Sequence, residues 1–237
     1  MKWLAVSFAL AWASPAVADK WSDRADRFHG GAFLHYELTT LTAIEPDEMP
    51  ERTTERFTDL ALAGVRLHGF LARNSRVAYH IGFDGAAGSS IRRAGFAYDV
   101  ALFPVGVVLR LGETSIVGVG AGVGFSGAVG TLDDAVSLPL EALAEIGGGR
   151  VRLMARARAA FVAKADARQD GAPSTQQVDE LEAMLGLRIG RHYDSFGFPS
   201  GNGYFVAVSY RELAGSQLAG ITLGYSIDLA MPRSRRR

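Results

Sequence analysis

From residue 30 onward, apolar and polar side chains alternate along the chain with a period of two residues. Over 117–126 the alternation is strict, with valine, alanine or phenylalanine at every second position and glycine or serine between them. A period of two places successive side chains on opposite faces of a β-strand, whereas a helix would scatter them around its circumference. The pattern predicts ten strands, at 30–41, 59–73, 76–84, 95–111, 115–128, 137–147, 150–163, 180–193, 203–212 and 217–229.

Most of these segments are long enough to cross a bilayer, since a tilted transmembrane strand needs about 9–11 residues. Short connections at 73–75, 112–114 and 147–149 alternate with longer polar ones at 43–58, 85–93, 129–136 and 164–178. The predicted fold class is all-β: an antiparallel up-and-down transmembrane β-barrel over 29–229, with about ten strands and eight or twelve as alternatives. Pro104 cannot donate to a ladder, so a bulge or bend is expected there.

The polar faces indicate which side of the sheet is enclosed. They carry glycine, serine, histidine, arginine and glutamate, and Lys164 is the only lysine after Lys20. Arginine and glutamate suit a confined lumen, because one planar guanidinium satisfies several acceptors. We therefore predict apolar faces turned outward to lipid and a polar network inside. Its predicted members are His35, Glu37, Arg66, His68, Arg76, His80, Asp84, Glu141, Glu145, Arg150, Arg152, Arg156, Arg158, Glu182, Arg188, Arg211 and Asp228.

The first eighteen residues have the pattern of a cleaved signal peptide, with Lys2, an apolar stretch and the small residues Ala16-Val17-Ala18. We expect a periplasmic segment at 19–28 and a basic tail at 230–237. The absence of cysteine excludes disulfides and thiolate metal sites, and the formal net charge of zero gives no indication of a nucleic-acid partner. We expect neither a cofactor nor a metal, because sequence spacing fixes no ligand set for the histidines.

The final segment carries alternating apolar residues and an aromatic, at Ile221, Leu223, Tyr225, Ile227 and Leu229. With this ending, the chain resembles the small outer-membrane β-barrel proteins of Gram-negative bacteria. The resemblance covers nearly all of the sequence after residue 18 and rests on general pattern, with no subfamily motif. It implies that barrel-insertion machinery recognises the last strand and that the partners are outer-membrane lipid and lipopolysaccharide. The tail ending Arg235-Arg236-Arg237 departs from the family pattern, in which the chain stops at an aromatic.

Function is less constrained than fold. Our first hypothesis is a non-enzymatic outer-membrane barrel with a structural or adhesive role, or a narrow, porin-like passage for very small solutes. Its loops would bind an unknown ligand, and the charged stretch 39–58 is the largest of them. The alternatives are a lipid-modifying enzyme with residues near His192 and Glu212, and a soluble periplasmic β-barrel or sandwich that binds a ligand.

Overall fold

A computed structural model describes residues 30–44, 58–72, 76–90, 96–111, 115–129, 132–147, 150–165, 179–193, 200–213 and 216–228. The predicted signal peptide, the segment 19–28 and the basic tail lie outside the described residues, so these boundaries remain predictions. In the part of the chain that is described, no helix is long and apolar enough to cross a membrane.

Ten antiparallel strands form one closed barrel, in which each strand pairs with its sequence neighbours and β1 pairs with β10. The closing seam runs from the pair Phe33↔Asp228 to the pair Ala43↔Leu218. The predicted fold class and the favoured count of ten are therefore confirmed. The strands are β1 Gly30–Ala43, β2 Asp59–Ala72, β3 Val77–Ser89, β4 Phe96–Leu111, β5 Ser115–Val129, β6 Leu132–Ile146, β7 Val151–Ala165, β8 Glu180–Tyr193, β9 Ser200–Leu213 and β10 Ser216–Asp228.

Two strands, β3 and β6, extend five residues further than the sequence pattern predicted, whereas the other strand ends differ by up to three residues. β3 continues through 85–89, which pairs with β4 from Gly85↔Val100 to Ser89↔Phe96, and β6 begins at Leu132 instead of 137. The predicted long links at 85–93 and 129–136 are accordingly wrong. Both stretches lack alternating apolar side chains, but ladder hydrogen bonds form between backbone groups and do not require them.

The bulge expected at Pro104 is confirmed. Leu102 pairs with Val123 and Val105 pairs with Ala121, so two residues of β4, Phe103 and Pro104, face a single residue of β5. That residue is Gly122, and a Cβ on it would overlap the carbonyl group of Leu102. The β4 backbone therefore approaches β5 at a distance that only glycine tolerates.

The apolar stripes face outward and the charged side chains face inward. Leu153 and Leu187 are 40% and 44% exposed, whereas Arg156 and Glu145 are 8% and 7% exposed. A water-soluble barrel or sandwich would show the reverse arrangement, with its apolar side chains enclosed. In outer-membrane barrels the exterior carries an apolar band and the interior is polar, and this chain has both features.

Candidate functional site

The interior is organised around Arg156, in the middle of β7. Its guanidinium donates to Glu182 Oε1 at 3.0 Å and to Glu141 Oε2 at 3.3 Å, and it also donates to Asp84 Oδ2. Glu141 and Glu182 lie on the neighbouring strands β6 and β8, but Asp84 lies across the lumen on β3. One buried cation therefore links four strands.

A second set of ion pairs centres on Asp99 of β4. Its carboxylate accepts from Arg158 of β7 and, at 2.6 Å, from Nη2 of Arg211 of β9. Arg211 also donates to Glu180 Oε2 at 3.1 Å. Because β4 lies across the barrel from β7 and β9, these pairs cross the lumen.

Arg66 of β2 extends the network to β1, the strand that closes the barrel by pairing with β10. Its Nη2 donates to Glu37 Oε1 at 2.8 Å and to Glu182 Oε1 at 2.9 Å. Glu182 also accepts from Arg156, so β1, β2, β7 and β8 are held by one chain of charge-assisted hydrogen bonds.

A smaller charged group lies nearer the end of the barrel where β1 begins. Glu145 Oε2 accepts from Arg188 at 2.8 Å and from Arg152 at 3.5 Å. The guanidinium carbon of Arg188 lies 6.0 Å from the centre of the Phe33 ring, within the range of a cation–π contact.

Apolar clusters occupy the lumen above and below the central charges. At the end where β1 finishes, the cluster contains Leu41, Leu60, Leu62, Ala97, Ala128, Leu213 and Leu218. At the opposite end it contains Phe33, Phe70, Ala78, Val108 and Ile116, with Leu143 packed against them. Each cluster joins residues from strands on different sides of the barrel, so within the described residues the lumen is filled by side chains.

The part of the interior that the structure describes includes two small cavities. One of about 50 Å³ is lined by residues that include His35, His68 and Glu145, and one of about 40 Å³ by residues that include Asp84 and Asp99. A buried water needs about 10–15 Å³ of such space, so each cavity holds only a few waters.

Three histidines lie between the central charges and the end where β1 begins. His35 Nδ1 and Ser226 Oγ are 2.6 Å apart, and His68 Nδ1 and His80 Nε2 are 2.9 Å apart. Nδ1 of His80 lies 3.6 Å from Glu141 Oε1. All three rings are buried.

Most of the predicted interior residues are brought together by the fold. The structure buries, or nearly buries, His35, Glu37, Arg66, His68, His80, Asp84, Glu141, Glu145, Arg152, Arg156, Arg158, Glu182, Arg188 and Arg211. Arg76 and Arg150 differ from the prediction. Both precede a strand at the end with short turns, and their side chains are exposed there rather than enclosed. The side chain of Asp228 lies outside the described part of the structure.

Sequence reasoning missed Asp99 and Glu180 as members of the network. β4 carries apolar residues on both faces, which concealed the inward position of Asp99 beside the buried residues Ala97 and Ala101. Asp99 has the same parity as Ala97 and Ala101, so the three side chains share one face, but this parity alone does not show which face of β4 is inward.

The grouping of His192 with Glu212 as an enzymatic site is wrong for this fold. On the paired strands β8 and β9, His192 is opposite Gly201 whereas Glu212 is opposite Leu181. The two positions are 11 residues apart along these strands, which corresponds to about 36 Å of strand length. The side chain of His192 and the following Asp194 and Ser195 lie outside the described residues.

A closed antiparallel barrel with an apolar exterior and an ion-paired interior is the fold of outer-membrane β-barrel proteins. The chain is similar to LpxR from Salmonella typhimurium, with 12% identity over 90% of this chain and 94% of that one and a TM-score of 0.36. It is also similar to the translocator domain of the autotransporter NalP from Neisseria meningitidis, with 11% identity, 91% and 94% coverage and a TM-score of 0.43. The chain is similar as well to the β domain of the Bordetella autotransporter Brka, with 12% identity over 84% of this chain and 98% of that one and a TM-score of 0.37.

No protein-family model and no curated protein matches the chain. The structural likenesses concern the barrel fold alone and carry no information about activity.

Proposed function

We propose that this protein is an integral outer-membrane barrel of a Gram-negative bacterium with a closed lumen and a structural or adhesive role. The observation that carries the proposal is the cross-lumen network around Arg156 and Asp99, enclosed between two apolar clusters. A barrel that passed solutes would need a continuous polar path. Here ion pairs and leucine side chains occupy that path.

The exterior supports insertion into a membrane. Tyr36 of β1 is opposite Tyr225 of β10, which is in turn opposite Tyr204 of β9, so three tyrosines form a row on adjacent strands. Tyr79, near the start of β3, also has an exposed side chain. Aromatic girdles at the water interface are typical of outer-membrane barrels.

The base of the first long connection is fixed by hydrogen bonds. The amide of Ala43 donates to the carbonyl of Thr58 at 2.9 Å, and the amide of Ile44 donates to the carbonyl of Gln217 at 3.0 Å. The described residues on either side of the charged segment 45–57 are therefore hydrogen-bonded at the barrel rim, and the segment itself lies outside the described residues. A charged connection between two strands is a candidate for surface binding, because connections often carry recognition.

Membrane fractionation and planar-bilayer recording together test the proposal. We expect the full chain in the outer-membrane fraction, heat-modifiable migration on gels, and no stepwise conductance in a bilayer. A variant that loses both partners of a cross-lumen pair, Arg66→Ala with Glu182→Ala, is the control in which brief conductance steps are expected. Steady conductance by the unmodified chain would refute the closed lumen, and recovery in the soluble fraction would refute membrane insertion.

Two further assays separate the adhesive role from the enzymatic alternative. Cells that display the chain should lose adhesion when 45–57 is replaced by a glycine–serine linker of equal length. Purified protein should leave phospholipid and lipopolysaccharide intact. Hydrolysis of either lipid would contradict the non-enzymatic assignment.

A further inference from the structure

Two buried polar atoms face one another inside the barrel without a hydrogen-bond partner. They are Nδ1 of His80 and Oε1 of Glu141, 3.6 Å apart, and both side chains have no solvent exposure. The second oxygen of Glu141 accepts from Nε of Arg156 at 3.3 Å, and Nε2 of His80 is 2.9 Å from His68 Nδ1. The other ring nitrogen of His80 and the other carboxylate oxygen of Glu141 are thus already hydrogen-bonded.

The proton on the His80 ring does not explain this arrangement. If the proton lies on Nε2 and is donated to His68, the lone pair of His80 Nδ1 faces Oε1 of Glu141, and both atoms are acceptors. If it lies on Nδ1, the 3.6 Å separation is too long for a hydrogen bond. A buried unsatisfied group costs free energy, so a cation bound between these two acceptor atoms would relieve that cost.

The separation of the two atoms suits a bound metal ion. Zinc lies about 2.0–2.2 Å from nitrogen and oxygen ligands, which places two tetrahedral ligands about 3.4 Å apart. His68, His80 and Glu141 each offer one ligand atom, and the three atoms lie within 4.8 Å of one another. His68 also lines the cavity of about 50 Å³, which can supply water to the remaining coordination positions.

Three glycines leave space beside these atoms. A Cβ on Gly106 would lie 2.9 Å from His80 Nδ1, and a Cβ on Gly120 or Gly82 would lie 3.1 or 3.3 Å from Glu141 Oε1. Any side chain at these positions would occupy the volume around the two unpaired atoms.

We propose that His68, His80 and Glu141 bind one divalent transition-metal ion of the zinc class. Two imidazoles and a carboxylate suit zinc and its neighbours, whereas magnesium and calcium prefer all-oxygen ligands. Arg156 then acts as an outer partner that orients Glu141 through its second oxygen. The site would tie β2, β3 and β6 together inside the barrel.

Metal titration of the full chain tests the proposal. The protein is produced without a histidine tag and folded into detergent, with Zn²⁺ or with chelator, and binding is followed by calorimetry. We expect one Zn²⁺ per chain and a raised urea midpoint in Zn²⁺, because a ligand specific for the folded state stabilises it. Co²⁺ should give the absorption bands of a bound, low-symmetry ion.

Variants locate the site. His80→Gln and Glu141→Gln should each weaken Zn²⁺ binding by at least about tenfold, as loss of even an outer partner does. His35→Gln changes another buried histidine of the same lumen, which contacts Ser226, and should bind Zn²⁺ like the unmodified chain. The absence of a stoichiometric ion and of a midpoint shift in the unmodified chain would overturn the proposal, as would equal binding in all three variants.

Discussion

Replacement of Arg156 by methionine should be among the most destabilising single changes in this barrel. Arg156 is 8% exposed and donates to three carboxylates. Asp84 has its described ion pair with Arg156 alone, and its other oxygen is already without a hydrogen-bond partner. Removing one side of a buried pair leaves an uncompensated charge, which costs about 3–5 kcal/mol. With a slope of about 2 kcal/mol per M, the urea midpoint should fall by about 2 M.

The assay is urea unfolding in lipid vesicles, followed by far-ultraviolet circular dichroism and by migration on unheated gels. Arg150→Met is the matched control, since Arg150 lies just before β7 and its side chain is exposed. It should shift stability by no more than about 0.5 kcal/mol. Adding Asp84→Asn to Arg156→Met should restore part of the loss, because the unpaired carboxylate is removed. Equal midpoints for Arg156→Met and Arg150→Met would refute the reasoning.

Two further perturbations test the exterior and the bulge. Leu187→Arg, on the outward face near the middle of β8, should cost about 2–4 kcal/mol in vesicles, whereas Leu181→Arg near the strand end should cost about 0–1 kcal/mol. Equal costs in urea titrations would contradict a hydrocarbon environment. Gly122→Ala should destabilise the barrel by at least about 1 kcal/mol, because the added Cβ overlaps the backbone of Leu102. Gly69→Ala, whose Cβ would lie 3.7 Å from the nearest carbonyl oxygen, serves as its control in the same titrations.

The strands and their faces could be predicted because each depends on local pattern. An outward valine and an inward glycine at adjacent positions, such as Val119 and Gly120, indicate the orientation of a whole strand, since a shift by one residue would turn every side chain to the other face. The bulge was predictable for the same reason, because Pro104 cannot donate to a ladder whatever lies beside it. The largest errors fall in the stretches without alternation, at 85–89 and 132–136, whereas the other strand ends differ from the prediction by up to three residues.

The partners of the interior charges could not be predicted in the same way. Adjacent pairs such as Glu141 and Arg156 follow from the hairpin of β6 and β7, and the sequence indicated them. Arg211 and Asp99 are 112 residues apart and lie on strands that do not touch. Their contact depends on the tilt and closure of the whole barrel, which no single segment encodes.

The contact of Arg211 with Asp99 has a consequence for assembly. A half-built sheet holds these two side chains far apart, and both remain hydrated until the first and last strands meet. Most of the interior charged side chains therefore lose their water at the final step of assembly, when closure brings their partners into contact. A barrel organised in this way resists partial opening, because separating one strand exposes charges contributed by strands on the far side.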